Sequence, residues 1–575
     1  MDDKQKHLDK FAIAAALQEI AALLELRGGA DKFKARAYQA GARAIAGTTE
    51  SLAELVAQDR LTSLPRIGAA LASQIKQLYL TGESSVLRGL RKEFPPGILE
   101  LSTLPGLTVG KIKQLHDQLG ITSIAELRTA AAAGKVRNLK GFGAKTEEKL
   151  LVAVDEEPKQ TTKKRLHLHR ALQTGEQIIK YLDTTRGVKH LRFAGSLRRW
   201  NETVGTVCIV ASTNQPKILL QHFVRFPLIT QAVSTTDNAA DVILVDGSKI
   251  RLVAVRPSEF ALTLFLETGS TAHLQKIQKL SKAPVTKRRT ASQDDVSVEK
   301  QIYRQFGMEY VPPELREDAG EIEAALAGKL PKDLIELSDI RGMVHCHTTY
   351  SDGKHSIEEM AKAADALGMK YITITDHSPT AFYAGGLSLD QLKRQWDEID
   401  EVQEKVKTKI LRGTESDIVA SGALDYPDAV LEKFDVIVAS IHSRYKMDSE
   451  KMTHRIVTAM RQPVFKIWGH ALGRLIQSRP AFECDVERIL DVIEESRAAV
   501  EINGDPYRLD MEPRWVRQAR KRNIKFVISV DAHSTGALNN VKFGVAMARR
   551  GWVRKGEVLN ALNPTAFASA VKPVV

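Results

Sequence analysis

Nine side chains able to ligate metal lie in the last 240 residues, in the order His345, His347, Asp352, His377, Glu415, His442, His470, Asp531 and His533. Eight of the chain's 15 histidines fall in this stretch. Mixed imidazole and carboxylate donors suit Mn, Zn or Fe and do not suit a pure Mg²⁺ cage. Closely spaced ions of this kind acidify water and neutralise phosphate oxygens in a transition state. The implied chemistry is multinuclear, metal-dependent hydrolysis.

Most of these donors end a short apolar run, as in MVHCH, YITITDH, VIVASIH, VFKIWGH and KFVISVDAH. A hydrophobic strand ending in His or Asp is how a parallel barrel delivers ligands to one rim. The runs begin near 343, 371, 409, 435, 464, 498 and 525. They alternate with amphipathic helices such as SIEEMAKAADALG (356–368) and LSLDQLKRQWDEIDEVQEKV (387–406). Seven strand–helix units over 336–575 predict a βα barrel one unit short of eight.

A chain of 575 residues holds several cores. Its 43% hydrophobic and 27% charged content is ordinary for soluble globular protein. Of the net charge of +13, about +12 lies in residues 1–335, away from the candidate ligands. That excess fits nucleic acid, whose phosphates supply most non-specific affinity, or a solvated basic surface. Cys208, Cys346 and Cys484 have no paired spacing, so neither a disulfide framework nor a zinc finger is expected. The start, MDDKQKHLDKFAIAAAL, predicts an amphipathic helix and not a signal peptide. With no run of about 18 apolar residues, no membrane span is expected and the protein is placed in the cytoplasm, with the nucleoid.

Three segments share one pattern: LPRIGAALASQI (64–75), LPGLTVGKIKQL (104–115) and LKGFGAKTEEKL (139–150). Each reads as a Gly turn followed by an amphipathic helix, the shape of a helix-hairpin-helix. Such a turn exposes backbone N–H groups at a helix N-terminus, where a phosphate is accepted without sequence preference. Gly68, Gly106, Gly110, Gly141 and Gly143 are the candidate DNA contacts, with Thr108 standing where a Gly is usual.

The segment DKFKARAYQAGARAI (31–45), with LPRIG and LTG (80–82), resembles the small N-terminal domain of family X DNA polymerases. In that family a Schiff-base lysine removes a 5′ deoxyribose phosphate. The matching position here is Gln74, and Lys76 lies two residues on, so 5′-end binding without lyase chemistry is expected. FAGSLRRWNETVG (193–205) is similar to the family's Gly-Ser motif, implying that Gly195, Ser196, Arg198 and Arg199 hold triphosphate oxygens. The family's Mg²⁺-binding aspartates fall on Thr206, Cys208 and Arg251. Neutral, soft and cationic groups cannot replace hard carboxylates, so the two-metal clamp is lost. Leu266 and Glu267 replace an aromatic pair before TGS (268–270), and Leu274 replaces an Asn, so dNTP binding is not expected. Asp241 and Asp246 lie close in sequence, but VDGSK (245–249) reads as a hairpin turn, where Asp is ordinary. Lys287, Arg288 and Arg289 mark a basic thumb loop, either a DNA backbone contact or merely solvated.

HCHTTYSDG, TDH, GTESDI, SIHS, GHALGRLI, EINGDPYRLD and DAHS resemble the polymerase-and-histidinol-phosphatase (PHP) domain found at the C-terminus of bacterial family X polymerases. A lone buried histidine is ordinarily structural, but nine donors in family order are not. The resemblance implies a three-metal site, active with Mn²⁺ and sometimes holding Zn²⁺ or Fe. His345, His347, Glu415 and Asp531 would serve one ion and act catalytically. Glu415, His442 and His470 would serve a second, and Asp352, His377 and His533 a third. Met343 and Ala471 depart from a common Asp and Pro. Arg444 and Arg474 are phosphate-clamp candidates or ordinary surface arginines, and Cys346 packs in the core.

The expected architecture is multidomain α/β. It comprises a small helix-hairpin-helix domain (1–90), helix-hairpin-helix fingers (91–156), a nucleotidyltransferase-type α+β palm (157–256), a thumb (257–328) and a distorted seven-stranded PHP barrel (336–575). The resemblance implies a DNA-repair enzyme with 3′→5′ exonuclease and 3′-end phosphoesterase action on gapped, nicked or 3′-recessed duplex, extending to abasic-site cleavage. Residual gap-filling synthesis and a non-catalytic repair scaffold are the alternatives.

Overall fold

The computed structural model describes residues 10–573 except 30, 48–51, 65, 95–97, 99–100, 102–103, 105–106, 108, 157–164, 245 and 281–294. Two compact units form: residues up to 165 with 220–250, and residues 166–219 with 251–575. No helix among the described residues is long and apolar enough to cross a membrane.

In the first unit the chain runs through helices Lys10–Arg27, Asp31–Gly47, Leu52–Ala57, Ala69–Thr81, Ser85–Glu93, Val109–Leu119, Ile124–Ala132 and Ala144–Glu156. The first is Ala- and Leu-rich on all sides, the pattern of a helix surrounded by others. It buries Ile13, Leu17, Ile20 and Leu24. At Gly41 a side chain would collide with Leu71, so glycine there lets the second and fourth helices approach. A single apolar cluster extends from Ile13 to Val154 and takes in residues of all three expected helix-hairpin-helix segments. Ser84 and Ser123 cap the helices that follow them through their hydroxyls. Residues 220–250 add the antiparallel strands Ile229–Thr235 and Ala239–Leu244. In the turn beyond them Asp246 accepts from the Ser248 N–H at 2.9 Å and Gly247 holds φ +79°, the turn role expected for Asp246.

The second unit begins with helix Leu168–Asp183 over the antiparallel strands Val188–Ala194 and Thr206–Thr213, registered at Ala194 opposite Cys208. Helices Pro257–Thr268, Thr271–Leu280, Asp295–Gln305 and Glu321–Leu326 follow, closing on Phe265, Ile277, Tyr303, Val311 and Ile322. The Arg316 guanidinium is fully buried among the rings of Phe265, Tyr303 and Tyr310 and donates to both Glu299 oxygens at 2.9 Å.

The barrel is built from Gly342–Cys346, Tyr371–Ile374, Lys409–Asp417, Val436–Ser440, Lys466–Trp468, Ala498–Asn503 and Phe526–Ser529, paired in chain order. All ladders are parallel. The first and last strands meet where His347 N donates to the Ala532 carbonyl and Ala532 N to the His345 carbonyl, both at 2.9 Å. Strand side chains alternate between faces, so steps of two stay inside the barrel. Along these faces apolar residues give way to polar ones: Leu411 to Glu415, Ala499 to Glu501, Val527 to Ser529. The apolar end is stopped by helix Pro564–Val571, whose Phe567 stacks on Tyr371 at 4.7 Å. The polar end is therefore the open, ligand-bearing one, as expected for a parallel βα barrel.

Candidate metal centre

All nine predicted donors converge at that polar end. The Glu415 carboxylate sits at the middle. Its Oε1 lies 3.2 Å from His345 Nε2, 3.1 Å from His442 Nε2 and 2.8 Å from His470 Nε2. Its Oε2 lies 3.5 Å from His347 Nε2 and 3.0 Å from His377 Nδ1. Asp531 Oδ1 stands 3.6 Å from His345 Nε2 and 3.3 Å from His347 Nε2, while Asp352 Oδ1 is 3.2 Å from His533 Nε2 and 3.6 Å from His377 Nε2. Three groups have ligand atoms close enough to share an ion: His345, His347, Glu415 and Asp531; His377, Glu415 and His442; and His347, Asp352, His377 and His533. The first is the expected set. The second has His377 beside Glu415 and His442 and does not include the expected His470, whose Nε2 instead lies 2.8 Å from Glu415 Oε1, and the third adds His347 to the expected Asp352, His377 and His533.

The donor atoms fit cations. His345 Nε2, His347 Nε2, His377 Nδ1 and Glu415 Oε2 are buried without a hydrogen-bond partner, a costly arrangement unless a ligand completes it. Three rings are also oriented from behind. His345 Nδ1 faces Glu501 at 2.6 Å, His442 Nδ1 faces Asp417 at 2.5 Å, and His533 Nδ1 faces the Asp531 carbonyl at 2.9 Å. An acceptor at Nδ1 holds one proton there, so the nitrogen each ring would offer a cation, after losing any second proton, is the Nε2 directed at the centre.

The electrostatics follow from crowding. Burial disfavours charge on His442, His533 and His377. Even so, Glu415 and Asp417 push His442 up to about 10, and Asp352 and Asp531 push His533 up to about 9. At His377 burial prevails and the pKa falls to about 4. Burial also opposes ionisation of Glu415 and Asp531, but the surrounding imidazoles hold both well below the usual carboxylate range. Both are therefore anionic at neutral pH.

Three candidate ligands, His345, His470 and Asp531, hold left-handed backbone at φ of 63°, 24° and 49°. Such strain in non-glycine residues concentrates at functional sites. Sequence patterns carry no sign of it, nor did they single out Glu501, Asp417 or Arg508. Glu501 had one available signal, a carboxylate inside the apolar strand AAVEIN at a barrel-facing position. It accepts from His345 Nδ1, from Ser529 Oγ at 2.6 Å, from Asn503 Nδ2 at 3.1 Å and from the His470 N–H. Arg508 places Nε 3.2 Å from Asp531 Oδ2 and keeps Nη1 buried without a hydrogen-bond partner.

Three of the four arginines considered for phosphate, Arg198, Arg199 and Arg474, are engaged by carboxylates. Arg474 is buried and pairs with Glu202 at 2.8 Å and Glu512 at 3.1 Å, whereas Arg444 stays exposed. In the Gly-Ser turn, Gly195 takes φ +60° and the Ser196 carbonyl accepts from Asn201 N. Arg198 donates to Glu299 at 2.8 and 3.0 Å and to Thr268 Oγ1 at 2.8 Å. Arg199 donates to Glu317 at 2.9 Å and to the Thr268 carbonyl at 2.7 Å. The physical reason is that carboxylates from the thumb reach the guanidiniums that the resemblance reserved for a triphosphate. Thr206 opens its strand, and Cys208 Sγ and Arg251 Nε lie 3.7 and 3.8 Å from Glu267 Oε2. Cys346 is fully buried, and burial pushes its thiol up.

In the first unit, open space faces Gly68, Gly110, Gly141 and Gly143, beside the starts of their helices. Gly106, Thr108 and the basic loop Lys287–Arg289 lie outside the described residues. Gln74 accepts from the Ser84 hydroxyl at 2.8 Å and Lys76 pairs with Asp59 at 2.9 Å.

Fold and site together define a class: a multidomain protein joining helix-hairpin-helix modules to a barrel whose rim can bind several metal ions. Family models match accordingly, a helix-hairpin-helix domain at 9–84, a SAM-like helix-hairpin-helix tandem at 98–156 and a PHP domain at 344–505. The DNA polymerase/3′-5′ exonuclease PolX of Bacillus subtilis is 34% identical over 565 residues, covering 96% of this chain and 98% of that protein. Probable phosphatases of Caldanaerobacter subterraneus and Thermoanaerobacter sp. are each 28% identical, over 33% and 38% of this chain and 74% and 88% of their own lengths. The chain belongs to the PolX family, the family X DNA polymerases that carry a PHP domain.

Proposed function

We propose that the barrel is a Mn²⁺-dependent 3′→5′ exonuclease and 3′-end phosphoesterase acting on gapped, nicked or 3′-recessed DNA in base excision repair, and that the polymerase-like site is inactive. The observation that carries this is the cluster of eight donors in three groups, joined by His470 on Glu415, with buried, unpartnered ligand atoms. It contrasts with Cys208 and Arg251 gathered on Glu267 where the family binds Mg²⁺. Mixed imidazole and carboxylate donors suit Mn, Zn or Fe, and the resemblance to the PHP domain is what favours Mn²⁺ among them. The ions, when bound, supply charge against phosphate oxygens and acidify water.

The chain's own residues do the rest. Glu501, Asp417 and the Asp531 carbonyl hold the Nδ1 protons of His345, His442 and His533, fixing each ring. Glu415 faces five imidazoles and holds the groups together. The buried Arg508 Nη1 is placed to donate to a phosphate oxygen. The open Gly turns of the first unit bind duplex backbone without sequence preference.

Purified protein should carry about three ions per chain and, with Mn²⁺, shorten a 3′-recessed or gapped duplex stepwise. His345→Ala should abolish shortening. A wild-type protein inert with every divalent metal, or free of bound metal, would favour the scaffold reading. The same assay on an abasic duplex tests abasic-site cleavage. Primer extension by His345→Ala on gapped DNA with dNTPs tests the polymerase site, and efficient synthesis would overturn its inactivity.

A further inference from the structure

The chain just beyond the Gly-Ser turn has a second attachment, to the barrel. Glu202 accepts from Arg474 Nη2 at 2.8 Å and Nη1 at 3.2 Å. Arg474 is a barrel residue with 8% of its side chain exposed. Its Nε donates to the Arg508 carbonyl at 3.0 Å, and its Nη2 also donates to the Leu509 carbonyl. Arg508 then turns its own guanidinium onto Asp531. Leu509 holds φ +43°, a backbone state that a leucine does not keep unless its surroundings impose it. Beside this path the Trp200 ring meets Phe543 at 6.2 Å, and Arg550 donates to the Trp200 carbonyl at 3.4 Å.

We propose that Glu202, in the palm-like module, is a positioning residue for the barrel's metal centre. It anchors Arg474, which clamps the carbonyls of Arg508 and Leu509 and so fixes the Arg508 guanidinium against Asp531. The planar guanidinium of Arg474 engages its acceptors in one rigid fork, so releasing one side frees the whole group to tilt. A buried guanidinium that loses a carboxylate also seeks new partners, and Glu512, already 3.1 Å away, would draw it off the two carbonyls. The palm is then a brace for the nuclease site, built from the turn that the resemblance assigns to nucleotide.

The activity arm of the test rests on the proposed phosphoesterase function, and the exchange arm does not. In full-length, metal-free protein, Glu202→Ala should speed amide exchange across residues 504–512 by at least about threefold while the barrel strands keep their protection. Glu202→Gln, which keeps an acceptor for one Nη group, should fall between wild type and Ala. With Mn²⁺ and a gapped duplex, Glu202→Ala should lower kcat/KM by roughly 2- to 30-fold, the range for residues along a coupling network. In an Arg508→Ala background the same change should cause no further loss, because the path is already cut. Wild-type exchange across 504–512, or a Glu202→Ala loss that multiplies in full with that of Arg508→Ala, would overturn the proposal. Should wild type show no hydrolysis, the proposed function fails while the exchange comparison still decides the brace.

Discussion

Replacing Glu501 by Gln tests the orientation of the metal ligands with almost no change of shape. Glu501 is fully buried and accepts from four donors. Ser529 and Asn503 can rotate away, but the His470 N–H is backbone and cannot. The Gln carbonyl therefore stays with His470, and its amide NH₂ turns toward His345 Nδ1. A donor there makes Nδ1 an acceptor and moves the imidazole proton to Nε2, the atom that faces Glu415 and Asp531. One hydrogen bond to a charged acceptor is lost, about 1.5–3 kcal/mol. That converts to roughly a ten- to hundredfold weaker affinity for one ion, the scale of changes behind metal ligands. Calorimetric titration of stripped Glu501→Gln with Mn²⁺ should show one weakened site, with excess Mn²⁺ restoring hydrolysis. Mn²⁺ affinities within twofold of wild type at every site, in a protein that unfolds cooperatively, would refute the tautomer argument.

Three further outcomes are expected. Phe567→Ala, which empties the stopper of the barrel, should cost about 3–5 kcal/mol and lower the thermal midpoint of the second unit, whereas a shift of under a degree would show the helix to be dispensable. Glu299 is held at about 2 because its Arg316 and Arg198 partners outweigh burial. Its contribution, on the order of 3 kcal/mol, is complete above the ordinary carboxylate value near 4.5 and is lost as pH falls from there toward 2, so acid unfolding of Glu299→Gln should be flatter across that window. Gly143→Glu places a carboxylate beside an open helix start, and duplex affinity measured by anisotropy should fall roughly three- to tenfold alike for all sequences, with a weaker salt dependence.

Much of this molecule is legible from pattern. Runs beginning near 343, 371, 409 and 498 become strands starting at Gly342, Tyr371, Lys409 and Ala498, because a buried parallel strand must be apolar between polar helices. The donors ending those runs had to reach one rim, since parallel strands all point the same way. The Gly turns and the cap at Ser84 follow from local backbone preferences. Arg198, Arg199 and Arg474 show the limit of pattern. Their spacing matched phosphate-binding roles, and their actual partners, Glu299, Glu317 and Glu202, lie 101, 118 and 272 residues away.

The sequence by itself determined the barrel and nine candidate donors, because strand periodicity and ligand chemistry are local properties; that Thr206, Cys208 and Arg251 stand at the family's aspartate positions is what the resemblance implies. Tertiary structure decided which groups complete each charge. It alone brought Glu501 behind His345, Arg508 onto Asp531 and Glu202 onto Arg474. A buried ion finds its counter-ion through space, and a linear pattern does not record which distant carboxylate the fold will deliver.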